Sequence, residues 1–154
     1  MLRLREGGGT VRSNENLRAE YILVQGQYEA FDQRALTLKG LATPLLGAGL
    51  AVGFKEGSSG ILLATVVVAA SLWLLEAVWK SFQYCLVDRI RDLEAWHRGE
   101  GADDMPPFQI FAAWNKLWAE HYRKPRSLWP ILWQPFVFVP YLPIIAIALA
   151  GCAL

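Results

Sequence analysis

"ILLATVVVAASLWLLEAVWK", Ile61 to Lys80, decides the fold. Ile61 to Trp79 is nineteen residues with one charge, Glu76. As an α-helix it extends about 28 Å, close to the roughly 30 Å hydrocarbon core of a bilayer. Lys80 follows Glu76 by one helical turn, and Trp73 and Trp79 lie on either side of the carboxylate. Tryptophan collects at the membrane–water boundary, so the pattern predicts a transmembrane helix whose last turns reach the headgroups.

The composition agrees. Hydrophobic residues make up 54% of the 154, charged residues only 19%, and the mean hydropathy is +0.25. That places the chain in the membrane class, with the length of one small domain. A net charge of +1 offers no basic field, so no nucleic-acid partner is expected. The bilayer is the first partner implied.

Two further stretches are apolar enough to be considered. Gly40 to Phe54 is uninterrupted for fifteen residues. With Leu36, Leu38 and a snorkelling Lys39 it lengthens to a span. The two expected spans are about 37–54 and 60–79. Residues 128–154 carry no charged side chain but contain Pro130, Pro135, Pro140 and Pro143, so a third, Pro-kinked transmembrane helix is expected there. The opening "MLRLREGGGT" has charge and glycine where a signal peptide would have its apolar region, and residues 1–15 read as a disordered tail. Cys85 and Cys152 fall at opposite ends of spans, which argues against a disulfide.

Outside the spans the helical pattern continues. Leu17, Tyr21, Val24, Tyr28, Phe31, Ala35 and Leu38 repeat at 4, 3, 4, 3, 4, 3, a coiled-coil seam. Phe82, Leu86, Ile90 and Leu93 give a second stripe that runs on until Gly99. Asn16 to Phe54 and Gly60 to Arg98 are equal in length, with "KEGSS" between them. The expected fold is an all-α integral membrane protein: a long antiparallel hairpin over 16–98 with cytoplasmic arms 16–36 and 80–98. A mirror near Gly57 pairs positions whose numbers sum to about 114, so Glu76 faces Lys39 and Lys80 faces Arg34 and Asp32. Lys39, Glu76, Lys80 and Arg34 form the expected membrane-boundary charge cluster. They read either as an interfacial ion pair or as the lining of a pore mouth.

Residues 99–107 form a connector containing the acidic pair Asp103 and Asp104. Residues 108–124 carry Phe111, Trp114, Leu117 and Trp118 at helical spacing with cations at the edges, as an interfacial amphipathic helix would. Packing of those tryptophans on the hairpin is the alternative. Trp73, Trp79, Trp114, Trp118 and Trp129 are the candidate interfacial anchors. Gly47, Gly49 and Gly53 allow close helix approach, within the hairpin or between chains.

No P-loop, GxGxxG, HExxH or GxSxG occurs, the cysteines are far apart, and His97 and His121 stand singly. No catalytic residues, cofactor or metal are expected. "EYILVQGQYEAFDQRALTLKG" and "LWLLEAVWKSFQY", a helix entering one span and a helix leaving the next, resemble the SLATT-type two-transmembrane effectors of bacterial conflict systems. The resemblance implies assembly in the membrane and disruption of its integrity. Two functions are expected on these grounds: a homo-oligomeric pore-forming or membrane-perturbing effector, or a non-conducting scaffold recruiting a cytoplasmic protein partner. Lys and Arg number six through Lys39, one in the turn and eight over 80–127. The positive-inside rule then puts the amino terminus in the cytoplasm and the carboxyl terminus outside the inner (plasma) membrane.

Overall fold

The computed structural model describes the backbone of residues 7–101 and 105–153, and side chains from Asn14 onward. The described residues are all-α, with no strand among them. The helices are α1 (Gly7–Lys55), α2 (Ser59–Tyr84), α3 (Val87–His97), α4 (Ile110–Leu117), α5 (Trp129–Leu132), α6 (Pro135–Phe138) and α7 (Tyr141–Ala153). Among the described residues, two helical stretches are long and apolar enough to cross a membrane, Asn14–Lys55 and Ser59–His97, with mean hydropathies of 1.4 and 2.3 in their most apolar windows.

The turn between α1 and α2 follows from two residues. Gly57 adopts φ +59°, which glycine reaches without a Cβ clash. Its N–H bonds Phe54 O at 3.3 Å and the Ser58 N–H bonds Gly53 O at 2.9 Å, the paired bonds of a Schellman motif. Ser58 then caps α2, its hydroxyl accepting from the Ile61 N–H at 3.4 Å. One glycine and one serine thus end one helix and begin the next.

The chain divides into two compact units. Phe31–Ser81 and Lys124–Leu154 form one. Here α1 and α2 pack antiparallel through their small residues. A Cβ added at Gly49 would sit 2.6 Å from Thr65 Oγ1, and one at Gly53 would sit 2.5 Å from Leu62 Cδ2. Glycine is what permits this approach. Leu46, Ala69, Tyr141 and Ile144 form the buried cluster, flanked by Leu50, Leu72, Trp73 and Ile145. The far end of α7 reaches the turn end of the hairpin, where Cys152 Sγ lies 3.9 Å from Ser59 O.

Met1–Ala30 and Phe82–Arg123 form the second unit, considered from its described residues. Its buried side chains include Leu17, Glu20, Val24, Gln83, Cys85, Leu86, Arg89, Ile90 and Leu93. α3 ends as α1 does: Gly99 takes φ +77°, and Gly99 N and Glu100 N bond Trp96 O and Ala95 O, each at 2.9 Å.

Several expectations need correction. Helix begins at Gly7, so 7–15 is helical where a disordered tail was expected, while residues 1–6 lie outside the described residues. The second arm runs through to His97 but is tightened at Cys85 and Leu86: α2 stops at Tyr84, and the Leu86 N–H reaches back three residues to Gln83 O at 3.0 Å before α3 begins. Residues 128–154 are not one kinked helix. α5, α6 and α7 are separate pieces, with Pro130, Pro135 and Pro143 each in the first turns of a helix, where a missing N–H costs nothing. The helix expected over 108–124 is α4 followed by one wide turn, Trp118–Tyr122, closed by Arg123 N to Trp118 O at 2.9 Å. Asp103 and Asp104 lie outside the described residues.

Candidate functional site

In the unit of Phe31–Ser81 and Lys124–Leu154, helix register sets the site. Asp32 and Lys39 lie two turns apart on α1, and Glu76 and Lys80 one turn apart on α2. Lys39 Nζ meets Glu76 Oε1 at 2.7 Å, and Lys80 Nζ meets Asp32 Oδ1 at 2.7 Å. The first pair is withdrawn from solvent, with side-chain exposures of 19% and 5%, whereas Asp32 is half exposed. Lys39 also donates to the carbonyl of Phe136, and Lys80 Nζ lies 4.8 Å from the centre of the Phe136 ring. One residue of the carboxyl-terminal segment therefore touches both cations.

Tyr141, fully buried, lies beside the Glu76 carboxylate. The two groups are close enough to interact, yet neither Glu76 Oε2 nor the Tyr141 hydroxyl meets a partner in full hydrogen-bond geometry. A buried charge is tolerable when paired and costly when alone. Lys39 is the counter-charge that meets Glu76 there.

Of the expected cluster, Lys39, Glu76 and Lys80 come together and Arg34 does not. Arg34 is exposed and joins no ion pair among the described residues, and Asp32 takes the place beside Lys80. The reason is the sign of the charge: Lys80 needs an anion, and α1 turns Asp32 toward it. Among the glycines, Gly49 and Gly53 contact α2, but a Cβ at Gly47 would meet nothing within 4 Å.

The tryptophans differ in their surroundings. Trp73 Nε1 donates to Leu132 O at 3.0 Å, and its ring meets Trp133 edge-on at 5.9 Å. Trp79 is half-buried. Trp129 is 62% exposed and contacts Trp133. Within the other unit, Trp114 Nε1 donates to Phe82 O at 3.1 Å and stacks on Trp118 at 5.7 Å, while both rings contact Phe82. Those two tryptophans are packed, and Phe111 is the ring of α4 left outward, 78% exposed.

The unit of Met1–Ala30 and Phe82–Arg123 holds an ion pair that the sequence pattern did not reveal. Glu20 is fully buried and Arg89 nearly so. Arg89 Nε and Nη2 donate to the two carboxylate oxygens of Glu20, each at 2.8 Å, a bidentate fork. Phe108 N and Gln109 N donate to the same carboxylate at 2.7 and 3.1 Å, and Arg89 Nη2 reaches Pro106 O at 2.9 Å. Glu20 thereby fixes the entry to α4 and holds Phe108 at φ +58°, where a side chain other than glycine is strained. Nearby, the Tyr21 hydroxyl donates to Glu94 at 3.3 Å. Burial and that carboxylate together push its phenol above the ordinary range.

Among the described residues, no group of three or more His, Cys, Asp and Glu converges as metal ligands would. Comparison with protein-family models, with curated proteins and with solved structures returned no match.

Proposed function

We propose that this chain is an integral membrane protein in which α2 and the second half of α1 lie in lipid, and that it serves as a non-conducting anchor or scaffold for a cytoplasmic protein partner. One observation carries this reading: the long helices turn their apolar side chains outward and use their polar ones internally. Leu41 and Leu45 are each 72% exposed and Val67 64%, an arrangement that water penalises and lipid does not. Thr65 Oγ1 donates to Ile61 O, Ser71 Oγ to Val67 O, and Glu76 is closed by Lys39. A conducting path needs polar groups left for ions or water. Lys and Arg placement supports a cytoplasmic amino terminus and an external carboxyl terminus at the plasma membrane.

The second reading is a homo-oligomeric pore-forming or membrane-perturbing effector, as the SLATT resemblance implies. Gly47, open on its Cβ side, and Glu76 Oε2, without a full hydrogen bond, favour it. Expression in bacteria with a membrane-potential dye, together with current across a planar bilayer holding purified protein, separates the two. A scaffold leaves potential and current unchanged. Depolarisation, with an ion preference that changes in Glu76→Gln, overturns the scaffold in favour of the pore.

A further inference from the structure

The unit of Met1–Ala30 and Phe82–Arg123 contains a pocket that neither reading uses. Its volume is about 410 Å³, and its wall includes Tyr28 of α1, Tyr84 at the end of α2, Asp88 and Arg91 of α3, and His121 and Tyr122 of the wide turn after α4. Three phenol rings from three elements surround it. Such wide turns in helices occur often at functional positions, and this one brings two consecutive side chains to the wall.

The charges in this wall have a specific pattern. Among the described residues of this wall, Asp88 and Arg91 are the fully charged groups, one of each sign, so a net anion or a net cation gains little. Their mutual contact is long, 3.4 Å, and both side chains are exposed, at 53% and 73%. A pair so placed contributes little to stability, and a ligand carrying both charges can part it. Phenol faces attract alkylammonium groups through the ring quadrupole, and a carboxylate beside them adds to the attraction. Arg91 presents a planar fork that suits phosphate oxygens, with the His121 and tyrosine donors beside it.

We propose that this pocket binds a zwitterionic alkylammonium phosphate, the chemistry of a phosphoethanolamine or phosphocholine group, with the ammonium on the Asp88 and tyrosine side and the phosphate on Arg91. The group comes either from a lipid headgroup or from a free solute. The lipid source rests on the membrane reading above, since Tyr84 follows Trp79 by five residues on the same helix; the solute source does not.

Full-length protein in an uncharged sugar detergent is titrated calorimetrically with O-phosphoethanolamine, phosphocholine and inorganic phosphate. The expected result is that one of the two ammonium ligands binds at least about tenfold more tightly than phosphate. Asp88→Asn removes that preference. Arg91→Gln weakens all three ligands by about tenfold, and Arg34→Gln, outside the pocket, changes nothing. Far-UV circular dichroism reports that each variant is folded. Equal binding of the three ligands, or folded Asp88→Asn and Arg91→Gln proteins that bind as wild type, overturns the proposal.

A second arm places the protein in nanodiscs of phosphatidylglycerol with a minority of phosphatidylethanolamine and measures the lipid that stays bound on detergent extraction. Enrichment of phosphatidylethanolamine, lost in Asp88→Asn, identifies a lipid source. Selectivity for the soluble ligand without lipid enrichment identifies a solute. Flotation with liposomes tests the membrane reading separately: protein that fails to float yet discriminates the soluble ligands retains the site and removes the insertion.

Discussion

The two buried carboxylates illustrate how differently one residue type can be held. Glu20 accepts four hydrogen bonds, two from Arg89 and two from the backbone at the start of α4. Replacing Arg89 by Met leaves that carboxylate buried without its counter-charge, and a loss of about 3–5 kcal/mol is expected in chemical unfolding. Glu20→Leu combined with Arg89→Met recovers only part of it, because the Phe108 and Gln109 N–H groups then lose their acceptor. Glu76 makes its direct ion pair with one cation, Lys39. Lys39→Met alone is expected to cost a few kcal/mol in detergent melts, and Lys39→Met with Glu76→Leu to recover most of that. Full recovery in the first double variant, or none in the second, would contradict this difference. Cys85 gives a pH signature. Burial first, and Asp88 second, push its thiol up to about 11. The unfolded chain releases the thiol proton near pH 8.5 while the folded chain keeps it, so the native state binds more protons over that interval and stability falls as pH rises. Wild type is expected to lose melting temperature between pH 8.5 and 11 more steeply than Cys85→Ala.

Among elements, the α1–α2 contact is the most constrained. Gly49→Ala and Gly53→Ala place a methyl group against Thr65 and Leu62, and overpacking of this kind costs about 1–3 kcal/mol. Gly47→Ala meets open space and is expected to be neutral or stabilising by up to about 1 kcal/mol through helix propensity. Thermal unfolding of the three variants checks the order, and a destabilised Gly47→Ala would count against it. The same helices show what a sequence can convey. Equal arm lengths and a glycine turn were enough to bring Lys39 to Glu76 and Lys80 to Asp32, because helix rise is constant and antiparallel register then follows from counting. Counting did not foresee Arg34 pointing away. It also missed Glu20 and Arg89. Their burial depends on Phe108 and Gln109, nearly ninety positions from Glu20, and no local periodicity reports such a contact. The tightening at Cys85 and Leu86 was hidden for a related reason, since neither residue is a helix breaker.

For the whole molecule, insertion and association are the properties to test. Ile22, Phe108 and Phe111 remain exposed at 63%, 52% and 78%, apolar surface of the kind that marks contact with lipid or with another chain. A homo-oligomer in mild detergent is expected, and light scattering that gives a monomer mass at every concentration would exclude it. A fusion after Leu154 is expected to be active only with a reporter that works outside the cytoplasm. The three-residue turn at Gly57 also constrains biosynthesis. On the membrane reading proposed above, so short a link leaves no length of chain for α1 to enter lipid alone, and α1 and α2 insert as a pair. Lys39 emerges from the ribosome 37 residues before Glu76, an interval of about 2–7 s at ordinary elongation rates. For those seconds the nascent lysine has no counter-ion from its own hairpin, and on the membrane reading a stall placed between the two codons holds α1 back from lipid until its partner helix is made.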